Sequence, residues 1–75
     1  SKGQAITELA NKLRMNLEDV IAFGDQENDL SMLQVSGFGV AMENAVPLVK
    51  KNVDHITDSA DNEGVAKTIE EFVLI

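Results

Sequence analysis

Asp25, Asn28 and Asp29 stand together directly after the apolar run Val20-Ile21-Ala22-Phe23 and just ahead of Leu30, Met32, Leu33 and Val35. Two carboxylates and an amide crowded into one turn offer oxygen ligands to a hard cation. Mg²⁺ is the ion that such a set suits, because it takes one or two carboxylates, keeps several waters and commonly bridges to a substrate phosphate. Without a cation, neighbouring carboxylates repel and one is driven to take up a proton. The plain structural alternative is that Asp25 and Asn28 only cap the following helix, a position that favours Asp and Asn.

The elements that must hold this turn are readable from periodicity. The run over residues 20–23 has strand character, Gly24-Asp25 breaks it, and the spacing predicts a helix over 28–35. In open α/β sheets ligands gather beyond the carboxyl ends of the strands, so the three polar side chains are expected in a crevice. A helix over 3–14 should bury Ala5, Ile6, Leu9, Ala10 and Leu13, with Asn16 suited to the left-handed closure. A second strand is expected over 38–42, giving a βαβ unit of right-handed crossover. Asn44 is the expected cap of a helix that holds Pro47 in its first turn and runs to about Lys51. A short edge strand over 54–57, a polar loop over 58–62 and a last helix over 63–73, burying Val65, Ile69, Phe72 and Val73, complete the chain.

Gly24-Asp25-x-x-Asn28-Asp29-x-x-Met32 resembles the fourth motif of the haloacid dehalogenase superfamily, in particular its Cof-type sugar-phosphate phosphatases with a large cap domain. Ser1-Lys2-Gly3 ahead of an amphipathic helix is similar to the third motif. Gly39-Val40-Ala41-Met42-x-Asn44-Ala45 with Pro47 and Val49-Lys50 resembles the next strand and helix, and Gly64-Val65-Ala66 the terminal helix. The resemblance extends over essentially the whole chain. It implies a Rossmann-like three-layer α/β/α fold with a mostly parallel sheet, here about three strands and four helices. It also implies that Asp25 contributes a carboxylate to a Mg²⁺ site and that Asn28 hydrogen-bonds a phosphoryl oxygen. Asp29 would support the metal site and pair with the cation Lys2, which would neutralise the transferring phosphoryl group. Without the resemblance, Lys2 is simply a solvated residue.

The family's aspartate nucleophile, in an Asp-x-Asp motif after its first strand, has no counterpart among Asp19, Asp25, Asp29, Asp54, Asp58 and Asp61. The Ser or Thr of its second motif cannot be placed either. The expectation is therefore that residues 1–75 form the carboxy-terminal part of a core domain, with the nucleophile-bearing part and the cap outside them. The complete enzyme would hydrolyse the phosphate ester of a small metabolite through an aspartyl-phosphate, while the 75 residues alone would be inactive. Alternatives are a stand-alone Mg²⁺ or phosphate binding module and half of a split enzyme. The phosphorylation domain of P-type ATPases carries a similar turn, but Phe23, Gln26 and Ser31-Met32-Leu33 depart from its pattern.

With a net charge of -7 and no basic cluster, nucleic acid and anionic membrane surfaces are not expected partners. No apolar stretch approaches the roughly 18 to 20 residues of a membrane span. The absence of cysteine suits a reducing, cytoplasmic setting. Self-association through an unpaired edge of the first strand, or a partner chain carrying the missing half, is expected of the isolated chain. His55 lies away from the acidic turn and has no second His or Cys partner for a zinc site; Met32 and Met42 are expected to pack, Lys50 and Lys51 to answer a helix C-terminus, and Asp58, Asp61 and Glu63 to form a solvated acidic turn. Glu43 stands where the family usually has Gly, and Ala60 where it usually has a polar amide.

Overall fold

A computed structural model describes residues 1–58 and 61–72. Helix α1 (Lys2–Lys12) is followed by a 3₁₀ turn (Leu17–Asp19) and strand β1 (Ile21–Gly24). A second 3₁₀ turn (Glu27–Asp29) leads into α2 (Leu30–Val35), then β2 (Phe38–Ala41), α3 (Pro47–Lys51), β3 (His55–Ile56) and α4 (Asn62–Phe72). The three strands are parallel in the order β1-β2-β3, with Ile21 to Gly24 paired one to one with Phe38 to Ala41. The sheet therefore carries the expected α/β, Rossmann-like alternation, with β1 at one edge.

Side-chain parity divides the sheet into two faces. Ala22, Gly24, Gly39 and Ala41 project to one face, where Leu33 of α2 and Val49 of α3 close a core with Ala22, Ala41 and Ala45. These strand residues are small because the helix lies directly on the backbone. A Cβ at Gly39 would lie only 2.6 Å from the Leu33 carbonyl oxygen. Ile21, Phe23, Phe38, Val40 and His55 share the opposite face, and Phe72 of α4 packs against it, its ring centroid 5.1 Å from Phe38 and 4.8 Å from His55. His55 thus packs among aromatic rings.

Four local expectations are corrected. In α1 the buried residues are Gly3 and Ala10, while Leu9 and Leu13 are 49% and 59% exposed; α1 lies along α2 through its small-residue face, so its larger apolar side chains are uncovered. The left-handed residue after α1 is Arg14, with φ 58°, and Asn16 is extended. Asn44 does not cap α3: Val46 is the N-cap and Pro47 opens the helix, while Asn44 is exposed in a turn where the Ala45 N–H donates to the Met42 carbonyl at 2.9 Å. In α4 the buried residues are Gly64 and Thr68, with Val65 and Ile69 half-buried and Phe72 47% exposed. Close approach again selects the small residues. Ala60 and Val73 lie outside the described residues.

Among the described residues no helix is long and apolar enough to cross a membrane. A side chain at Gly39 must push α2 off the sheet, since overpacking a filled interior costs about 1–3 kcal/mol. Gly39→Val is therefore expected to lower the free energy of unfolding, obtained by urea titration monitored by circular dichroism, by an amount in that range, whereas Gln34→Ala on the exposed side of α2 changes it by less than about 0.5 kcal/mol.

Candidate active site

The acidic turn begins where β1 ends, and its geometry is set by one side chain. Asp29 is buried, and its Oδ2 accepts the backbone N–H groups of Asp25 and Gln26, each at 3.1 Å. The turn thus closes on the carboxylate of its last residue. Gly24 makes room for this: a Cβ there would lie 2.7 Å from the Asp29 Cβ. Asp29 is the N-cap of α2 by position, but its carboxylate serves the preceding turn and gives α2 no side-chain cap hydrogen bond, and neither Asp25 nor Asn28 caps α2.

The other oxygen of Asp29, Oδ1, accepts the Lys2 ammonium in an ion pair that spans 27 residues of sequence. Asp29 is nearly enclosed on its side of the pair, whereas the Lys2 side chain is half exposed. Burial alone would push the Asp29 carboxyl up. The hydrogen bond from Lys2, the two backbone N–H groups and the Lys2 charge outweigh it and hold the group below its ordinary 3.8. The expected repulsion within the turn is thus relieved for Asp29 by a lysine.

Asp25 is pinned differently. Its N–H is taken by Asp29, and its carbonyl accepts the Val46 N–H at 3.1 Å from the loop after β2. Its carboxylate has no hydrogen bond or ion pair among the described residues. Asn28, three residues further on, is exposed and helps to line a groove of about 530 Å³ with Ser1, Lys2, Glu27, Leu30, Ser31 and Gln34. Of the four expected site residues, Lys2 and Asn28 line this groove, Asp29 is tied to it through its ion pair with Lys2, and Asp25 is not among the lining residues. Glu27, Ser31 and Gln34 join the groove without having been singled out by sequence; the helical spacing of 27, 31 and 34 was the available signal. Among the described residues no group of three or more His, Cys, Asp or Glu side chains converges. One free carboxylate with a neighbouring amide fits a share of a Mg²⁺ ligand set that includes waters, a substrate phosphate and a further carboxylate.

Asp58 and Lys67 form a separate exposed ion pair at 2.5 Å. Together with His55, Thr57, Thr68 and Glu71 they line a cavity of about 120 Å³ at the β3 end, on the far side of β2 from β1. The expected solvated acidic turn is consistent with the exposed Asp58, Asp61 and Glu63.

The parallel three-stranded sheet with its alternating helices is a fold shared with known proteins. Residues 1–69 match the model of the haloacid dehalogenase-like hydrolases, and the chain belongs to that family. It is 43% identical over 74 residues to the 5-amino-6-(5-phospho-D-ribitylamino)uracil phosphatase YcsE of Bacillus subtilis, covering 99% of this chain and 30% of that protein. It is 38% identical over 73 residues to a phosphoglycolate phosphatase of Methanothermobacter thermautotrophicus, covering 97% of this chain and 33% of that protein. Its backbone matches that of a haloacid dehalogenase-like hydrolase from Bacteroides thetaiotaomicron with a TM-score of 0.89 and 46% identity, covering 95% of this chain and 27% of that one. A subclass IIB sugar phosphatase of the superfamily matches with a TM-score of 0.91 and 36% identity, covering 100% of this chain and 29% of that chain. The chain therefore spans about a third or less of the length of these relatives.

Because the Asp29 carboxyl is lowered in the folded state, its contribution to stability is present above the ordinary carboxylate value of 3.8 and is lost as pH falls through the lower folded value. The stability difference between wild type and Asp29→Asn, measured by urea unfolding at a series of pH values, is expected to be constant above about pH 5 and to shrink as pH falls below about 4.

Proposed function

We propose that this chain contributes the metal and phosphate end of a Mg²⁺-dependent phosphate monoester hydrolase acting on a small phosphorylated metabolite, such as a sugar phosphate. The single observation that carries this reading is the delivery of the Lys2 ammonium onto Asp29, in the same turn that leaves the Asp25 carboxylate unpaired. A phosphoryl group bearing negative charge needs a cation, a donor and a metal-binding oxygen at one point. Lys2, Asn28 and Asp25 offer one of each.

The roles follow from the chemistry of each group. Asp25 is the residue that would hold Mg²⁺, which when bound supplies positive charge to the phosphoryl oxygens. The Lys2 ammonium is a compact point charge with three donors; one engages Asp29 and the others remain for the phosphoryl oxygens and the attacking carboxylate. The Asn28 amide N–H donates to a phosphoryl oxygen. Asp29, with one oxygen on the backbone and one on Lys2, sets where that charge stands, and a remaining lone pair is available to the metal or a metal-bound water. Fixed charges of this kind need no reorganisation as the transition state forms.

The nucleophile in this reading is a carboxylate supplied from beyond these 75 residues. It attacks phosphorus in line as the alcohol departs, and the resulting acyl phosphate is then hydrolysed, dividing one displacement into two. The partners are thus a phosphorylated metabolite and the nucleophile-bearing part of the enzyme, either in the same polypeptide or in a second chain. Without that part, β1 offers its open edge for self-association. A cysteine-free chain suits a reducing, cytoplasmic setting.

In the protein that carries the nucleophile, Asp25→Ala is expected to reduce Mg²⁺-dependent hydrolysis of p-nitrophenyl phosphate by about 10²-fold or more. Lys2→Ala is expected to cause a loss of similar order. Wild-type turnover by either variant contradicts the role given to that residue. Turnover by the 75 residues alone contradicts the external nucleophile, and turnover that appears only on mixing with a second chain identifies a split enzyme.

A further inference from the structure

The first-turn N–H groups of a helix have no partner within it. In α1, Ser1 caps by accepting the Gln4 N–H on its hydroxyl at 3.2 Å. The Gly3 N–H is met by a different helix: it donates to Ser31 Oγ of α2 at 2.9 Å. The Gly3 carbonyl accepts the Thr7 hydroxyl at 2.7 Å, so both polar groups of this residue are engaged. Gly3 is buried, and a Cβ on it would lie 2.9 Å from the Ser31 carbonyl oxygen. The two backbones approach as closely as a glycine allows.

Gly3 directly follows Lys2, and Ser31 lies two residues beyond Asp29. Two neighbouring ties therefore join the start of α1 to the helix that follows the acidic turn and to that turn itself, Gly3 to Ser31 and Lys2 to Asp29. The first fixes the backbone from which the lysine springs, and the second uses its far end. A lysine is a flexible four-carbon stem, and the position of its charge depends on a fixed root. We infer that Ser31 is a positioning residue for the Lys2 ammonium, acting through its hydroxyl on the Gly3 N–H to place that charge over the acidic turn.

This rests on the reading of Lys2 as the cation that meets the phosphoryl group, and it assigns to Ser31 a role distinct from simple helix capping. A cap that only stabilised α1 would affect turnover whether or not residue 2 were lysine. A positioning residue acts only through that lysine, which a double-mutant cycle detects.

In the nucleophile-bearing protein, Ser31→Ala is expected to lower kcat for p-nitrophenyl phosphate by about 10- to 100-fold, as displacement of a charged group by an ångström does, with KM changed by less than about twofold. Ser31→Thr, which keeps the hydroxyl, restores most of the loss. In a Lys2→Ala background Ser31→Ala produces no further loss beyond about twofold. An equal loss in both backgrounds overturns the inference and leaves Ser31 as a cap. Wild-type turnover by Lys2→Ala overturns the reading of Lys2 and the inference with it. A second measurement needs no turnover: the Lys2 ammonium signal in ¹H–¹⁵N spectra of the 75-residue chain should be retained in Ser31→Thr and broadened by solvent exchange in Ser31→Ala. Its survival unchanged in Ser31→Ala overturns the inference whatever the kinetics show.

Discussion

The contact between Lys2 and Asp29 organises the site, because it is the point at which the start of the chain meets the tip of β1. Asp29 faces two ways. One oxygen gathers the backbone N–H groups of its own turn, and the other holds the lysine. A single buried carboxylate thereby sets both the shape of the loop and the place of its counter-charge. Such a pair on a solvated surface contributes little to stability; here the asymmetry matters more, since Asp29 is enclosed and Lys2 keeps half of its side chain open to the groove.

Small residues make this convergence sterically feasible. Gly24 admits the Asp29 side chain over the strand end, Gly3 admits α2 beside α1, and Gly39 admits α2 onto the sheet. Each substitutes backbone proximity for side-chain bulk, and together they bring α1 and α2 close enough to the strands for residues far apart in sequence to share one point. The core is correspondingly built of Ala22, Ala41 and Ala45 around Leu33 and Val49. Larger apolar residues on α1 stay uncovered as a consequence of the same close packing.

Most of the architecture was legible because its signals are local. The β-rich run before Gly24, the apolar spacing after Asp29 and Pro47 at a helix start each declare an element through nearest neighbours, and the structure reproduces them within a residue or two. Burial does not follow from apolarity alone. Leu9, Leu13 and Phe72 look like core residues by periodicity, yet Gly3, Ala10, Gly64 and Thr68 are buried, since a helix pressed against another element hides the residues with least bulk. The left-handed position falls at Arg14 rather than Asn16, two residues after α1 ends at Lys12. At the site, the spacing of Asp25, Asn28 and Asp29 was visible in the sequence. The embrace of Lys2 followed only from resemblance, and the Gly3 to Ser31 hydrogen bond had no linear signature at all.

The main chain at Asp25 is clamped on both sides, its N–H by Asp29 and its carbonyl by the Val46 N–H. Aspartate is short, so with both of its peptide planes held only two side-chain torsions stay free, and little conformational entropy is left in the residue. The direction in which this carboxylate leaves the strand tip is thereby fixed by two loops, one of them contributed by residue 46 far along the chain.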